Sequence, residues 1–485
     1  MEFIMKLEAV LFDLDNTLAS TNKLRDIRER GAYNEITPEL LRTIKPYNNT
    51  KDLLSGLISK GIKVGIVTNS GRQYADIVLK QLDLPKFDTI VTYTDVGSSG
   101  MKPNPKGIHL ALSNLGITHP ERVIYVGDDY TDIIASYYAG VIPIVPSWAS
   151  RTPVSQVPAA VLSSEFLLDE CETLENIILM AEKSAQHKNF SFERKRFYFV
   201  PLDESANVIP ASDTLSTICL GRYFSQKSLV TTKLHDSHPL SIEIASKEHD
   251  ENYTPPDYWG DILAHANDKL PEFFKSKKGF DIATVIPSKK EKKQRLELVL
   301  DNAAQKSQTN TCFINDLFVF EEGAKSLKAL PRDQRAIEIE SSLHLNEKYR
   351  NRLQGKSILI FDDVITTGAT LKRAYELLRA ENVKHVLGIC LAKTVSISEE
   401  ERLCPKCQSH VLRIRRNQQS GIHFWGCSGY NDTSDKCEYT ESFVEKTCPK
   451  CGRNMVKKFN KKQGVRFLSC TGWNQEPKCY YTENE

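Results

Sequence analysis

The sequence predicts a multidomain α/β protein, with two α/β domains built on parallel sheets and two small β domains organised around cysteines. Three observations support this fold class. The chain has 485 residues, which is too many for one hydrophobic core. Short apolar runs alternate with amphipathic stretches through most of the chain, as in βαβ units. Eight of the twelve cysteines fall within the last 82 residues, in two sets that each begin with a Cys-x-x-Cys pair.

Composition and charge exclude several classes of protein. Charged residues make up 26% of the chain and hydrophobic residues 40%, which excludes a mostly disordered chain. There is no run of 18 apolar residues and no signal-peptide pattern at the N-terminus, so we expect a cytoplasmic protein. In that compartment, clustered cysteines indicate metal binding rather than disulfides. From Cys404 onwards, 14 Lys and Arg residues stand against 8 Asp and Glu, a local excess of positive charge.

Changes in composition divide the chain into five parts. An apolar run from Ala9 to Phe12 begins the first α/β pattern, and a polar, basic stretch follows that pattern. The second α/β pattern is clear in its later half and weak before residue 280. The predicted parts are a first α/β domain at 1–182, a linker at 183–196, a second α/β domain at 197–400, and two cysteine domains at 402–441 and 446–485.

Two carboxylates directly follow the first predicted strand. Asp13 and Asp15 are separated by one residue, so on an extended backbone both point to the same side of the strand's carboxyl end. Open α/β sheets bind their ligands at this edge. Asp13 is suited to attack a phosphorus atom, and Asp15 to protonate the leaving oxygen. Aspartates at strand ends are also common as helix caps, so this pair alone does not decide the chemistry.

Later strand ends carry side chains that complement this pair. Thr68 offers a hydroxyl group for a phosphoryl oxygen, and Lys102 offers a cation. Asp128 and Asp132 follow another apolar run, Val123 to Val126. A transferred phosphoryl group needs its charge neutralised, for which a lysine and a carboxylate-bound Mg²⁺ are suited. The order of these residues along the chain, rather than any one of them, favours phosphate chemistry.

This order resembles that of the haloacid dehalogenase (HAD) superfamily of Mg²⁺ phosphatases, in its phosphoglycolate phosphatase-like branch. The four matching motifs are Asp13-x-Asp15-x-Thr17, Thr68, Lys102-Pro103 and Gly127-Asp128-x-x-x-Asp132. The resemblance covers residues 7–182 and implies a Rossmann-like parallel sheet. It implies that Asp13 is the nucleophile, that Asp15 is the general acid and base, and that Thr68 and Lys102 bind phosphate. The implied Mg²⁺ site contains Asp13, the carbonyl group of Asp15, Asp128 and, as a ligand or a neighbour of one, Asp132.

The segments between these motifs are short. Fifty residues separate Thr17 from Thr68, and 33 separate Thr68 from Lys102, so neither segment holds a large cap domain. Members of the superfamily that act on small metabolites usually carry such a cap. We therefore expect either an open site, suited to a bulky substrate such as a polynucleotide end, or a site that another domain covers.

A second candidate phosphate site follows the apolar run from Ser357 to Phe361. Asp362 and Asp363 come first and are suited to hold the vicinal hydroxyl groups of a ribose. Small and hydroxyl residues then open a helix, where backbone N–H groups and the helix dipole favour an anion. The loop residues are Thr366, Thr367, Gly368, Ala369 and Thr370.

The nine residues from Asp362 to Thr370 resemble the phosphoribosyl pyrophosphate (PRPP) motif of type I phosphoribosyltransferases. Other segments, at 332–335, 349–351 and 392–393, resemble the ComF-like branch, and 286–289 is a candidate pyrophosphate loop. The resemblance implies that the loop holds the 5′-phosphate, that the two acids contact the ribose, and that Mg²⁺ accompanies PRPP. Residues 197–280, where an acceptor would bind, match poorly. Both transfer to a base and sensing of PRPP without transfer therefore stay open.

The clustered cysteines have the spacing of two metal sites. The first set is Cys404, Cys407, Cys427 and Cys437, and the second is Cys448, Cys451, Cys470 and Cys479. The numbers of intervening residues are 2, 19 and 9 in the first set and 2, 18 and 8 in the second. Four thiolates are what a tetrahedral Zn²⁺ ion requires, so the sequence predicts two structural Zn²⁺ ions.

The two cysteine copies resemble the C-terminal four-cysteine zinc ribbons of bacterial type IA topoisomerases, over residues 402–485. Ribbons of this type bind single-stranded DNA in that family. Basic side chains in this region attract phosphates, and aromatic side chains are suited to stack on bases. Phe424, Trp425, Phe467 and Trp473 are alternatively small-domain core, and zinc ribbons also bind proteins. The predicted partner is nucleic acid, as single-stranded DNA.

Two functional hypotheses follow. In the first, the chain is a Mg²⁺-dependent HAD phosphatase joined to a PRPP-binding domain with phosphoribosyltransferase activity, and zinc ribbons bring it to nucleic acid. The substrate is then a nucleotide-like phosphate ester or a polynucleotide end, or both α/β domains act in sequence on one phosphoribosylated metabolite. In the second, the chain is a regulatory or defence protein that senses PRPP and whose ribbons dock on DNA or on a protein partner.

Overall fold

The structure is a computed structural model of the chain. It describes residues 6–149, 159–174, 177–190, 199–209, 215–226, 228–247, 250, 252–273, 279–289, 293–323, 332–397, 402–431 and 436–484. The chain forms two compact units. The first unit contains 1–223, 239–322 and 343–395, and the second contains 224–238, 323–342 and 396–485. Among the described residues, no helix is both long enough and apolar enough to cross a membrane.

The N-terminal part of the first unit is built on a six-stranded sheet in which every strand runs parallel to its neighbours. The strand order is β3-β2-β1-β4-β5-β6, which is the doubly wound order of Rossmann-like folds. The predicted fold class is therefore confirmed for this part. Its strands are β1 (Ala9–Phe12), β2 (Lys63–Val67), β3 (Thr89–Val91), β4 (Val123–Val126), β5 (Ile142–Pro146) and β6 (Ala160–Leu162).

Helices connect these strands, and the segment between β1 and β2 contains no large cap domain. Between Thr17 and Thr50, the α-helices of the described chain have six and four residues. Longer helices then cover the sheet, and they bury apolar side chains such as Ile108 and Leu112 against it. The helices are α1 (Arg25–Arg30), α2 (Pro38–Leu41), α3 (Thr50–Ser59), α4 (Arg72–Leu82), α5 (Tyr93–Val96), α6 (Lys106–Leu115), α7 (Tyr130–Ala139), α8 (Ser164–Glu170) and α9 (Met180–His187).

Helix α9 crosses the predicted boundary at residue 182 and enters the predicted linker. Ala181 is fully buried in an apolar core that also contains Leu220. Glu182 forms an ion pair with Arg222, with 2.7 Å between Oε1 and Nε. The start of the predicted linker is thus a helix packed on the second α/β part, while its last six residues lie outside the described range. The domain boundaries stay a prediction.

The second α/β part contains a seven-stranded sheet with the order β11-β10-β14-β15-β8-β7, and β9 also pairs with β15. Neighbouring strands are parallel from β11 to β8, and β7 is antiparallel to β8. Strands β12 and β13 form a separate antiparallel pair. The strands are β7 (Val200–Leu202), β8 (Thr217–Cys219), β9 (Arg222–Phe224), β10 (Ile282–Val285), β11 (Cys312–Ile314), β12 (Phe318–Phe320), β13 (Leu343–Leu345), β14 (Ser357–Ile365) and β15 (His385–Val395).

The helices of this stretch of chain divide between the two units. Helices α11, α12, α13 and α15 belong to the first unit, and the core beneath them contains the fully buried Trp259 and Leu300. Helices α10 and α14 belong to the second unit. Their bounds are α10 (Leu229–Ser237), α11 (Pro239–Ser246), α12 (Asp257–Phe273), α13 (Leu296–Lys306), α14 (Arg332–Ser342) and α15 (Ala369–Ala380).

The C-terminal part of the second unit consists of two small antiparallel sheets, as the sequence predicts. The strands are β16 (Leu412–Arg416), β17 (His423–Cys427) and β18 (Thr440–Ser442) in one sheet, and β19 (Val444–Thr447), β20 (Asn454–Asn460), β21 (Val465–Cys470) and β22 (Thr482–Asn484) in the other. A cysteine cluster forms the core of each sheet. The segment before α10 joins this unit, because Ile414 N donates a hydrogen bond to Gln226 O at 3.0 Å.

Candidate functional site

The carboxyl ends of β1, β2 and β4 bring the first set of predicted residues together. Register pairs Phe12 with Val126 on one side and with Ile66 on the other, so Asp13 lies at the centre of this edge. Lys102 Nζ lies 2.7 Å from Asp13 Oδ1 and 2.5 Å from Asp132 Oδ1, and all three side chains are buried. A buried cation therefore joins the predicted nucleophile to a second carboxylate.

Three carboxylates form a compact cluster here. Asp13, Asp128 and Asp132 each offer an oxygen, and these oxygens lie within 4.8 Å of one another. Burial, opposed by Lys102, raises the pKa of Asp13 to about 7, and burial together with Asp13 and Asp132 raises the pKa of Asp128 to about 8. When ionised, these three carboxylates face one lysine, which leaves an excess of negative charge. A cluster of carboxylate oxygens with excess negative charge fits a hard divalent cation such as Mg²⁺.

A glycine permits the close approach of Asp132 to this cluster. A Cβ atom on Gly127 would lie 2.4 Å from Asp132 Cγ, so any side chain at this position would displace the carboxylate. Asp132 also accepts a hydrogen bond from the backbone N–H of Asp129, which caps α7. The Gly-Asp-Asp sequence thus serves both the helix start and the carboxylate cluster.

Asp15 lies outside the carboxylate cluster, and its carboxylate accepts four hydrogen bonds. Thr21 Oγ1 and Tyr74 OH donate to Oδ1 at 2.6 and 2.7 Å. Ser70 Oγ and Arg28 Nη1 approach Oδ2 at 2.6 and 2.9 Å. Sequence reasoning missed Arg28 and Tyr74, because each lies on a helix outside any recognisable motif. These contacts fix the orientation of the Asp15 carboxyl group at the edge of the sheet.

Thr68 lies at the end of β2, next to the loop that carries Lys102. The side chain of Thr68 is buried, and its Oγ1 accepts a hydrogen bond from Ser70 N at 3.2 Å. Asn69 binds both backbone polar groups of Lys102, at 2.8 Å to the N–H and 3.1 Å to the carbonyl oxygen. Asn69 therefore fixes the lysine loop against the strand end, a role that sequence reasoning did not assign.

The predicted PRPP loop lies between β14 and α15. Asp362 and Asp363 belong to the last residues of β14 rather than to the loop after it. Gly368 adopts a positive φ of 77°, and α15 begins directly after it. Thr366 and Thr394 hydroxyl groups hydrogen bond at 2.8 Å. The structure thus forms a strand, a short turn and a helix N-terminus, which is the arrangement expected of a phosphate loop.

Two lysines contact this loop region. Lys247, directly after α11, forms an ion pair with Asp363, and Lys393 Nζ donates to the carbonyl oxygen of Thr366. Lys393 falls in a segment that the resemblance identified, whereas Lys247 falls in the poorly matching region before residue 280. The parallel pairing of β10 with β14 also places the candidate pyrophosphate loop, 286–289, at the same sheet edge.

Replacement of Asp362 by asparagine is expected to stabilise the chain at alkaline pH. Burial and the neighbouring Asp363 raise the pKa of Asp362 to about 8, although Lys247 opposes this. The fold therefore favours the protonated carboxyl, and this stability is lost as pH rises from the ordinary pKa of an aspartate through about 8. Asparagine stays neutral at every pH. The thermal midpoint of Asp362→Asn minus that of wild type should therefore increase between pH 5 and pH 9. Each kcal/mol of relative stabilisation corresponds to about 2–4 °C. A difference that is constant with pH would contradict this expectation.

The eight cysteines of the second unit converge as two tetrads. Within each tetrad the Sγ atoms lie within 4.8 Å of one another. Pairs of Sγ atoms are 3.7 and 3.8 Å apart in the first tetrad, and 3.9 and 3.4 Å apart in the second. Tetrahedral Zn²⁺ with Zn–S bonds of about 2.3 Å places its sulfurs about 3.8 Å apart. The donor sets therefore fit zinc.

The surroundings of the tetrads add a histidine and exposed aromatic rings. His410 Nδ1 lies 3.5 Å from Cys407 Sγ. Burial alone would raise the pKa of Cys407, but hydrogen bonds from Ser409 and His410 lower it to about 5, which favours the thiolate. Trp473 is half exposed, with Lys458 Nζ 5.2 Å from its ring centroid. Trp473 is thus not a core residue of its ribbon.

Models of three protein families match successive parts of the chain. A model of the haloacid dehalogenase-like hydrolases matches residues 25–145, and a model of the phosphoribosyl transferase domain matches 325–419. A model of the topoisomerase DNA-binding C4 zinc finger matches twice, at 401–446 and 445–485. The matches confirm the three recognised families and their order.

Individual relatives are similar to about a third of the chain. Pyrophosphatase PpaX of Bacillus cereus is 28% identical over 212 residues, which span 35% of this chain and 95% of the relative. Pyrophosphatase PpaX of Bacillus pumilus is 30% identical over 187 residues, which span 30% of this chain and 85% of the relative. Among solved structures, a HAD-superfamily hydrolase from Ehrlichia chaffeensis is 23% identical, with a TM-score of 0.25, and the match covers 30% of this chain and 89% of that one.

The haloacid dehalogenase-like match at 25–145 contains Lys102, Asp128 and Asp132 of the cluster, and the two pyrophosphatases are matched over most of their own length. The cluster brings the predicted nucleophile Asp13, the lysine and carboxylate oxygens that could hold a metal ion together at one sheet edge. Through this part the chain belongs to the haloacid dehalogenase-like hydrolases, as a phosphatase-type enzyme that also carries a phosphoribosyl transferase domain and two topoisomerase-type C4 zinc fingers.

Proposed function

We propose that this chain is a Mg²⁺-dependent phosphomonoesterase that acts on a polynucleotide end or a nucleotide-like phosphate ester, and that its zinc ribbons bring it to nucleic acid. The observation that carries the proposal is the cluster in which Lys102 Nζ contacts both Asp13 and Asp132 beside Asp128. Such a cluster provides the groups that phosphoryl transfer requires.

In the first step, an Asp13 oxygen attacks phosphorus, and the bond from phosphorus to the leaving oxygen breaks. Asp15 gives that oxygen a proton, so an alcohol leaves and an aspartyl phosphate remains. In the second step, Asp15 takes a proton from water and the water oxygen attacks phosphorus. The bond between phosphorus and the Asp13 oxygen then breaks, which releases inorganic phosphate and restores the Asp13 carboxylate. Four donors occupy the Asp15 carboxyl group, so one of them must move away before Asp15 can hydrogen bond to the leaving oxygen.

Lys102 and the carboxylate cluster control the charge during these steps. Lys102 lies 2.7 Å from Asp13 and is placed to neutralise the charge of the phosphoryl oxygens as Asp13 becomes phosphorylated. Mg²⁺ held by Asp13, Asp128 and Asp132 would supply further positive charge to the phosphoryl group. Thr68 would donate a hydrogen bond to a phosphoryl oxygen from the neighbouring strand end.

Two features support a bulky or polymeric substrate. The chain between Thr17 and α3 forms short helices rather than a large cap, so a long substrate has less protein to displace. The zinc ribbons at the other end of the sequence resemble DNA-binding fingers and carry a local excess of positive charge. Both features fit a phosphate at the end of a nucleic-acid strand, held in place by the rest of that strand.

The second α/β domain is proposed to bind PRPP between β14 and α15. The loop would hold the 5′-phosphate at the N-terminus of α15, and Asp362 and Asp363 would hold the ribose hydroxyl groups. Lys247 contacts Asp363, so ribose binding would have to compete with this ion pair. Transfer of the phosphoribosyl group to a base would release pyrophosphate, whereas a PRPP sensor would bind and release PRPP unchanged.

A second candidate function is hydrolysis of pyrophosphate. The relatives of the first domain are named pyrophosphatases, and a phosphoribosyltransferase reaction produces pyrophosphate. In this case the first domain would hydrolyse the pyrophosphate that the second domain releases, and this removal would shift the transfer reaction toward its products. The cluster chemistry is the same, with phosphate rather than an alcohol as the leaving group.

The test is Mg²⁺-dependent phosphate release by the purified chain across a matched panel. The panel contains oligonucleotides with 3′- or 5′-phosphates, mononucleotides, ribose 5-phosphate, phosphoglycolate, PRPP and pyrophosphate. Selective release from oligonucleotide ends or nucleotides supports the proposal, and selective release from pyrophosphate supports the second candidate. Release from none of them would favour the PRPP-sensing regulatory alternative.

A further inference from the structure

We propose that the second unit contains a phosphate-binding pocket that takes the backbone phosphates of a nucleic-acid strand without reading its bases. The proposal deepens the proposed function, since it names the surface by which the ribbons bind nucleic acid. The pocket is a cavity of about 250 Å³. Its basic lining side chains come from three segments: Lys233 from α10, Arg416 from the first ribbon, and Lys457 and Arg466 from the second.

Two guanidinium groups converge at one point of this pocket. A Cβ atom on Gly421 would lie 2.4 Å from Arg466 Nη2 and 3.3 Å from Arg416 Nη2. These distances place the two Nη2 atoms at most about 6 Å apart. Arg466 is fixed there, because its Nε donates to Ser420 O at 2.8 Å. Like charges this close repel each other, and an anion between them turns the repulsion into attraction.

The acidic groups at the pocket are fewer than the basic ones. Asp236 is the carboxylate among the described lining residues, at 3.1 Å from His423 Nε2 and 3.8 Å from Arg416 Nη1. Of the lysines at the pocket, Lys457 also faces a carboxylate outside the lining, with Nζ 3.9 Å from Glu445 Oε1. The excess of positive charge at the pocket therefore selects an anion, and Asp236 competes with that anion for Arg416.

The chemistry of the lining identifies phosphate as the recognised group. Planar guanidinium groups match the oxygens of a phosphate in a bidentate fashion. The described lining contains charged groups, a histidine and a glycine, and it includes no apolar side chain that would stack on a base. Because both ribbons contribute arginines, a strand bound here contacts both copies at once. Recognition through phosphates alone is independent of sequence and sensitive to salt.

The test measures binding of a fluorescently labelled single-stranded oligonucleotide to the full chain by anisotropy, at several salt concentrations. The double variant Arg416→Ala/Arg466→Ala should bind about tenfold or more weakly, and its salt slope should be shallower by about 0.7 for each phosphate that is no longer neutralised. The matched control is Lys461→Ala/Lys462→Ala, which removes the same charge from the exposed turn after β20 and should change affinity much less. Equal losses of affinity in both double variants would contradict the assignment of this pocket as the site that binds the strand.

A third variant tests the same pocket in the opposite direction. Asp236→Asn removes the competing carboxylate and should tighten binding of the oligonucleotide, and unchanged or weaker binding would contradict the proposal. Zinc content near wild type shows that each variant retains its ribbons.

A labelled nucleoside monophosphate tests the other source of phosphate. If the arginine double variant loses this ligand but still binds the oligonucleotide, the pocket is not the site that binds the strand. Wild-type chain that binds no oligonucleotide would instead refute the nucleic-acid part of the proposed function.

Discussion

Replacement of Asp13 by asparagine is expected to reduce Mg²⁺-dependent phosphate release by at least about 10³-fold, because an amide oxygen is a poor nucleophile toward phosphorus. The same change removes one oxygen ligand of the carboxylate cluster and weakens Mg²⁺ binding. Stability should change little or increase, since burial raises the pKa of Asp13 and the fold already disfavours its charge. Initial rates on the preferred substrate, measured together with thermal midpoints, test both expectations.

The matched control for this prediction is Asp129→Asn. Asp129 directly follows the cluster residue Asp128 but caps α7, where its Oδ1 accepts a hydrogen bond from Thr131 N at 2.9 Å. Asparagine is an equally good helix cap, so this variant should keep its activity. Activity in Asp13→Asn close to that of Asp129→Asn would show that Asp13 is not the nucleophile.

Replacement of Cys448 by serine is expected to lower the zinc content from about two to about one ion per chain and to unfold the second ribbon. Cys448 Sγ lies 3.9 Å from Cys479 Sγ in the second tetrad. Structural zinc contributes about 10–16 kcal/mol to the folding of zinc-finger peptides, far more than four small strands supply by packing. Elemental analysis gives the zinc content, and oligonucleotide affinity should fall with it.

Cys312→Ser is the control for the zinc prediction. Cys312 is exposed and lies outside both tetrads, in β11. This variant should keep its zinc and its affinity for oligonucleotide. Zinc that stays at the wild-type level in Cys448→Ser, or a second ribbon that keeps its fold without metal, would remove the basis for the metal assignment.

Residues at the ends of strands were the most predictable part of the molecule. Asp13 and Asp128 follow β1 and β4, and parallel strands bring their carboxyl ends to one edge, so the sequence alone predicts that they meet. The cysteine tetrads were equally predictable, since the spacing of their members repeats in two copies. In both cases the signal is local in the sequence, and a simple geometric rule connects it to the fold.

Contacts made by side chains on helices were not predictable. Arg28 lies on a six-residue helix without a motif, yet it reaches Asp15 at 2.9 Å. Lys247 reaches Asp363 from a region whose sequence matches its family poorly. Only tertiary packing places the two cations, Arg28 on α1 and Lys247 directly after α11, and a single sequence carries no periodic signal for such packing.

The start of the predicted linker shows a different difficulty. Residues 183–190 contain several polar side chains, which favour an exposed connection. Helix α9 nevertheless buries Ala181 and Ala185, and Glu182 is held by Arg222. Alanine gives a weak hydrophobic signal, and a buried ion pair looks polar in sequence. The stretch around residue 183 therefore combines buried positions such as Ala185 with exposed ones at 186–189, and the position of the linker stays a prediction.

The most direct test of the central claim is the dependence of kcat/KM on oligonucleotide length, for 3′- and 5′-phosphorylated single strands and the full chain. The account predicts that kcat/KM rises from a mononucleotide to a long strand and that this increase disappears at high salt. The double variant Arg416→Ala/Arg466→Ala should reduce the increase without changing kcat/KM on the mononucleotide. A kcat/KM value independent of strand length and salt, or higher for pyrophosphate than for any strand, would contradict it.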